Sequence, residues 1–353
     1  MTDVGQPDEV VVRALGVPIG IPATAEAAER LRHQWSRALT DEPALTSIDA
    51  TEIVSADDLA HDYAVTTRVT LAALDATAGQ RINLHAGAVA DEEGRTLTVI
   101  GPSGSGKTTA IRLLATRLGY VSDETTSVDD LLGVHAHPKP LSVITDPLVP
   151  LHKESLSPDD LDLVRPPDQA WLHRIVLLHR GPDDDGLVPL SQAHAIAEIV
   201  EQTSSLVQLE HPILRLADTI DACGGVWELS YVEFEDWIDD LVDLLDVEGQ
   251  PPPARLHHPG ATAVGSPVEG AWTRGPWRDA VEYDDELVLM VDDRVHVLAG
   301  LGVVVWLALE SPQTIEALVA EAEALWGAHP DAPALVADAL AVMAEAGMVR
   351  PPS

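Results

Sequence analysis

The spacing of apolar and polar positions divides this 353-residue chain into short elements. Residues 9–22 are strand-like runs broken by Gly16, Pro18, Gly20 and Pro22, which predicts a strand or hairpin. Thr24 stands where a helix cap belongs. Ala28, Leu31, Trp35, Ala38 and Leu39 share one face beyond it, so a helix is expected to about Leu39. Residues 63–74 form another apolar stretch, and residues 82–90 read as one strand. Residues 96–100 are a short β-branched run. After Lys107, Ile111, Leu114, Ala115 and Leu118 recur at helical spacing. Gly119 suits the end of that helix, and Tyr120-Val121 opens a further strand. Strands are also expected at 141–145 and 174–179, and helices at 191–203 and 234–246. From Gln250-Pro251-Pro252-Pro253 to about residue 278, the Pro, Gly and His content predicts a solvated linker. Beyond it, Glu286–Val291 and residues 294–298 flank Asp292-Asp293 as a β-hairpin. Helices are expected at 301–309, 312–326 and 332–346, the second opening on Ser311-Pro312 as cap and first-turn proline. The resulting layout is a small α/β lobe over 1–80, an α/β domain over 81–249, a linker over 250–280 and a winged-helix-like module over 281–353.

The strand-then-helix pattern around residue 100 encloses Gly101-Pro102-Ser103-Gly104-Ser105-Gly106-Lys107-Thr108, followed by Thr109. This matches G-x-x-x-x-G-K-[ST], the phosphate-binding P-loop. Glycines let the backbone turn so that successive N–H groups face one point, and the helix start adds partial positive charge there. Lys107 is expected to reach the β- and γ-phosphates of ATP, and the Thr108 hydroxyl to ligate Mg²⁺. Such a loop only binds nucleotide; a reaction needs further groups. Residues 175–178 form the best buried strand but end in His179-Arg180 and supply no acid. The acids instead stand at Asp123 and Glu124, 16 positions after Lys107 for the first. A strand beside the P-loop strand would return them to the phosphate end. One carboxylate would then hold Mg²⁺ and the other orient or deprotonate an attacking hydroxyl. The plainer reading is a pair of turn acids in an acidic protein.

His85 is either a phosphate-side hydrogen-bond donor or cation, or a packing residue. Arg180, after a buried strand, either reaches the γ-phosphate or is a surface arginine, and Arg112 reads as solvent-exposed. His257-His258 has no cysteine or third histidine at ligand spacing, so no metal is expected there. Cys223 reads as a buried small residue, and Asp183-Asp184-Asp185 as an exposed loop.

Composition narrows the partners. The formal net charge is −37, and the only lysines are Lys107, Lys139 and Lys153. Such a chain would gather nucleic-acid or anionic-membrane phosphates against its own field, so neither is expected as a partner. A single cysteine points to a reducing compartment, and no basic-then-apolar leader or run of about 18 apolar residues is present. The expectation is a cytoplasmic protein.

Together the His-Ala strand Leu84-His85-Ala86-Gly87-Ala88-Val89, the P-loop through Thr109, and Ser122-Asp123-Glu124 resemble the HPr kinase/phosphorylase superfamily. The likeness is closest to its branch in clusters that make ribosomal modified peptides. Lys139-Pro140-Leu141-Ser142 resembles a downstream segment of that branch, and the match covers about residues 80–245. The resemblance implies an α/β P-loop kinase domain of the HPr kinase, PEP carboxykinase-like type, moving the γ-phosphoryl of ATP to a seryl hydroxyl. It gives Asp123 the role of base, puts Glu124 and Thr108 near Mg²⁺, with Asp123 beside it, and sets His85 near the phosphates. The second acid here is Glu rather than Asp, and the signature with a catalytic arginine for the reverse phosphorylase reaction is not recognisable.

Residues 281–350 resemble PqqD-like domains, the recognition elements that bind leader peptides, through Val295-His296-Val297-Leu298, Val305-Trp306, Thr314-Ile315-Glu316-Ala317-Leu318 and Gly347-Met348-Val349. That likeness implies a peptide held as an added strand on a sheet edge. The expectation is therefore an ATP- and Mg²⁺-dependent Ser/Thr kinase of a leader-bearing precursor peptide, working beside other modifying enzymes. Two alternatives stay open: a non-catalytic nucleotide-binding adaptor that presents a peptide, and a transport-type ATPase. The latter calls for an L-S-G-G-Q signature, which the chain lacks.

Overall fold

A computed structural model describes residues 8–49, 59–144, 153–181, 186–261 and 268–353. The Asp183-Asp184-Asp185 loop lies outside them. By contacts the chain forms two compact units: Met1–Leu190 with Gln202–Leu209 and Ala222–Gln250, and Ser191–Glu201 with Glu210–Asp221 and Pro251–Ser353.

The first unit begins with a hairpin, Asp8–Ala14 against Val17–Ala23, closed by Leu15 and Gly16 with φ of 50° and 79°. Two successive positive φ values match the twist of a two-residue hairpin turn. Thr24 caps the helix Ala25–Gln34 by accepting from the Ala27 N–H, and this helix ends at Trp35, short of the expected Leu39. Hairpin, helix and the long helix Leu59–Thr77 close over a core of their own that includes Val12, Ile19, Ile21, Leu31 and Trp35. These residues nonetheless belong to the same compact unit as the P-loop, so a boundary near residue 80 separates two cores and not two units.

The centre of this unit is a six-stranded sheet in the order 186–189, 226–231, 171–180, 95–100, 86–90, 119–122. Strands 95–100, 171–180 and 226–231 run parallel. Strand 86–90 is antiparallel to the P-loop strand, and strand 119–122 is antiparallel to 86–90. A second sheet follows the order 203–204, 82–84, 126–128, 134–135. The predicted single strand 82–90 is therefore two strands, divided at His85, one in each sheet. Gly119 is not a helix cap. It opens strand Gly119–Ser122, where a Cβ would collide with Pro166, while Ala115 ends the helix Lys107–Leu114. The core of this part packs that helix through Ala110, Ile111 and Leu114 against Val89, Leu97, Val99 and Tyr120.

The second unit is built on an antiparallel sheet in the order 256–261, 277–282, 286–291, 294–299. Residues 256–261 are thus an edge strand and not linker, because their backbone pairs with Trp277–Glu282. Helices Leu301–Ala308, Ile315–Trp326 and Ala332–Glu345 cover one face of the sheet with Trp306, Leu318, Val336 and Leu340. The middle helix is capped by Thr314, which accepts from Ala317 N–H at 3.3 Å, and not by Ser311-Pro312. Helices Gln192–Val200 and Pro212–Ala222, which precede these residues by far in sequence, belong to this unit. Arg274 lies 3.7 Å over the Trp306 ring and donates to the carbonyls of Trp306 and Leu307, closing the end of the first covering helix.

Candidate nucleotide site

The P-loop strand Arg95–Ile100 stops at Gly101, and the chain turns through Gly104 (φ 86°) and Gly106 (φ 89°) into the helix at Lys107. Both glycines adopt left-handed backbone that a Cβ disfavours. Gly106 has a second requirement: a Cβ there would strike the Tyr231 hydroxyl. That hydroxyl donates to the Ser105 carbonyl and so braces the turn from strand Val226–Tyr231. No side chain caps the helix start, leaving its first amides without an intrahelical acceptor. Thr108 and Thr109 are exposed on this first turn, as are Pro102, Ser103 and Gly104. The Ser105 hydroxyl is buried with no hydrogen-bond partner among the described residues. Lys107 is buried and folds back, its ammonium donating to the carbonyls of Gly101 and Pro102. Burial lowers its pKa, with Glu124 pulling the other way.

Strand pairing brings the other candidates to the same end. Ala86 lies opposite Ile100, so His85 falls beside the start of the P-loop. Ala88 lies opposite Ser122, so Asp123 follows at the same margin. Both chains leave the six-stranded sheet there and enter the second sheet, where Leu84 pairs with Thr126. His85 and Asp123-Glu124 therefore occupy the two crossing points of one junction. Gly87 makes this possible, since a side chain there would occupy the space of Ile111 on the P-loop helix. The acid-bearing strand is not adjacent to the P-loop strand, as the sequence reading supposed; strand 86–90 lies between them.

Asp123 is buried and accepts from the Tyr120 hydroxyl at 3.0 Å. Lys139, 6% exposed, pairs with Asp123 Oδ1 at 3.0 Å and with Glu124 Oε2 at 3.2 Å. Burial alone would lower the Lys139 pKa, but the two carboxylates outweigh it and the value is raised, so this buried lysine stays charged. Desolvation, and then Asp123, push the Tyr120 phenol well above its usual range. Glu124 is 44% exposed, far more than Asp123. The exposed ring of His85 interacts electrostatically with Lys107, Glu124, Asp123 and Lys139. Desolvation by its surroundings, and then Lys107, lower its pKa against the two acids, which favours neutral imidazole at pH 7. A cavity of about 180 Å³ opens next to these groups, lined by His85, Glu124, Thr125 and Ser204 and by Tyr63 and Thr67 of the long helix.

The candidates thus gather into one cluster of P-loop, Lys107, His85, Asp123 and Glu124. Sequence reasoning missed two members. Lys139 was noticed only within a resembling segment, although its being one of three lysines in so acidic a chain was a usable signal. Tyr231 carried none, because its role depends on a strand pairing far from the loop. Arg112 and Arg180 are exposed, and Cys223 is buried, with Sγ 3.7 Å from the Gly225 carbonyl. A larger cavity, about 400 Å³, is lined by Arg13, Arg37 and Arg81, but all three donate to backbone carbonyls, and Arg37 also pairs with Asp159. Among the described residues no helix is long and apolar enough to cross a membrane. No family model matches this chain, and no curated protein matches it either.

Proposed function

We propose that this chain is an ATP- and Mg²⁺-dependent kinase, of the HPr-kinase-like α/β P-loop class, that phosphorylates a Ser or Thr hydroxyl of a precursor peptide. The observation that carries the reading is the junction beside the P-loop, where the half-exposed Glu124 and a neutral His85 stand within electrostatic reach of Lys107 and the buried Asp123 shares Lys139 with Glu124. ATP would lie with its phosphates on the amides at the helix start, Lys107 leaving its carbonyl partners for the β- and γ-oxygens. Thr108 and Glu124 would hold Mg²⁺, which supplies neutralisation of the developing phosphate charge. Asp123, fixed by Tyr120 and Lys139, is suited to accept the hydroxyl proton because it has little freedom left to lose. The cavity beside His85 and Glu124 offers room for the acceptor side chain.

The second unit is read as the peptide holder, of PqqD-like, winged-helix-like class. Strand Arg294–Ala299 ends its sheet, with no further strand paired to it among the described residues. An extended leader peptide would add there by main-chain hydrogen bonds. Tethering raises the local concentration of the acceptor and turns a weak encounter into a near-intramolecular one. The test is mass spectrometry of a candidate precursor peptide encoded nearby, incubated with protein, Mg²⁺ and ATP. The gain of one phosphoryl group, lost with Asp123→Asn, is the expected result. ATP binding without any phosphopeptide would favour the adaptor reading and overturn the kinase.

A further inference from the structure

The second unit brings together three side chains that the sequence keeps 68 positions apart, from His211 to Asp279. His211, just before helix Pro212–Ala222, His257 on the edge strand and Asp279 on the next strand have ligand atoms all within 4.8 Å of one another. His257 Nε2 is 2.7 Å from Asp279 Oδ1, and His211 Nδ1 is 3.9 Å from the same oxygen. The two imidazoles meet edge to face at 4.9 Å. The expectation that His257 lacks a further ligand came from local spacing, which does not register a partner delivered by another element.

We propose that His211, His257 and Asp279 bind one divalent transition-metal ion, with zinc the ion they suit best. Asp279 is fully buried, and its Oδ2 accepts from the Ile213 and Leu214 N–H groups at 2.8 and 3.0 Å. That leaves Oδ1 aimed at the two rings, with its orientation set by the backbone. The other nitrogen of His211, Nε2, lies 3.9 Å from the exposed Glu210, too far for a hydrogen bond but near enough for a small shift to let that carboxylate orient the ring. Two imidazoles and one carboxylate suit Zn²⁺, Co²⁺ or Ni²⁺ and not Mg²⁺ or Ca²⁺, so the site is distinct in chemistry from a nucleotide's magnesium. Tetrahedral zinc with bonds of about 2.0–2.1 Å spaces its ligands roughly 3.3 Å apart. The observed 2.7 and 3.9 Å to Asp279 bracket that value, and the two imidazole nitrogens, within 4.8 Å of each other, would close by up to about 1.5 Å through ring rotation to make the site. A metal would replace the proton between His257 and Asp279, and the half-exposed side chain of His211 would leave its fourth position open to solvent. The ion would staple the start of helix Pro212–Ala222 to two strands of the sheet.

The test uses the full chain, freed of metal with a chelator and without nucleotide. Co²⁺ is titrated while its visible d–d absorption is followed, and Zn²⁺ is used to displace it. One equivalent of four- or five-coordinate Co²⁺, displaced by Zn²⁺, is expected, together with a rise in Tm on adding Zn²⁺. His211→Gln, at an exposed position where folding is checked by circular dichroism, should weaken Co²⁺ binding at least tenfold. His257→Ala should abolish the band, and His194→Gln, another exposed histidine of the same unit, should keep it. Absence of the band in the natural protein, or its retention at full affinity in both ligand variants, overturns the proposal.

Discussion

Replacing Lys139 by Met tests whether the carboxylate pair is held electrostatically. The ammonium sits 3.0 Å from Asp123 and 3.2 Å from Glu124, with only 6% of the lysine side chain exposed. Unit charges about 3 Å apart attract by about 5 kcal/mol at an effective dielectric near 20. Desolvation of the ammonium opposes this, and Glu124, 44% exposed, adds less than about 1 kcal/mol. Removing one partner of a buried pair strands the other, which costs about 3–5 kcal/mol. The Tyr120 hydroxyl keeps one hydrogen bond to Asp123, so the low end, about 3 kcal/mol, is expected. Urea unfolding followed by tryptophan fluorescence measures it. At 2–4 °C per kcal/mol for a unit of this size, Tm should fall by about 6–12 °C. Asp123→Asn in the same background should recover most of the loss, giving a coupling of about 2 kcal/mol in the double-mutant cycle. Because the Lys139 pKa is raised, the pair's contribution is fully present below pH 10.5 and is lost as pH climbs through the higher folded value. A loss under about 1 kcal/mol for Lys139→Met, with no coupling to Asp123, would refute the reasoning.

Asp123→Asn should cut phosphoryl transfer by about 10²-fold or more with ATP affinity largely intact, measured by single-turnover kinetics beside equilibrium binding. Gly106→Ala meets both a left-handed backbone and the Tyr231 hydroxyl, so nucleotide binding should be lost along with about 1–3 kcal/mol of stability, read by calorimetry and unfolding. Tyr231→Phe removes the brace on Ser105 and should cost about 1 kcal/mol, with weaker ATP binding as its second readout. His137 is buried against Thr70 at 2.9 Å, and burial drives its pKa from 6.5 to about 3. The unfolded chain therefore binds more protons between those values, so stability is full above about pH 6.5 and falls as pH drops toward 3, by on the order of 5 kcal/mol. A His137→Leu variant whose unfolding free energy keeps the same acid limb would contradict this.

Much of the local structure was legible in the sequence because it is written in neighbours. The glycine spacing, the β-branched run before it and the helical spacing after it specify a strand–turn–helix without reference to the rest of the chain. Thr24 capping its helix and the hairpin around Asp292-Asp293 are legible for the same reason. The misreadings are equally local. Residues 82–90 look like one strand, since apolar alternation says nothing about which sheet each half joins. Residues 256–261 look like linker, since Pro259 and Gly260 lower strand propensity, yet an edge strand tolerates both when its neighbour supplies the pairing. Helix Pro212–Ala222 was not anticipated at all.

By itself, then, the sequence determined a glycine-rich strand–turn–helix of P-loop pattern, the acids and histidine able to accompany it, and most of the elements that carry them. Tertiary structure alone decided that His85 and Asp123 share one junction, that Lys139 and Tyr231 hold the two halves of the site, and that His211 meets His257 and Asp279. Those arrangements depend on strand register and on burial of charge between distant segments, quantities that no window of neighbouring residues contains.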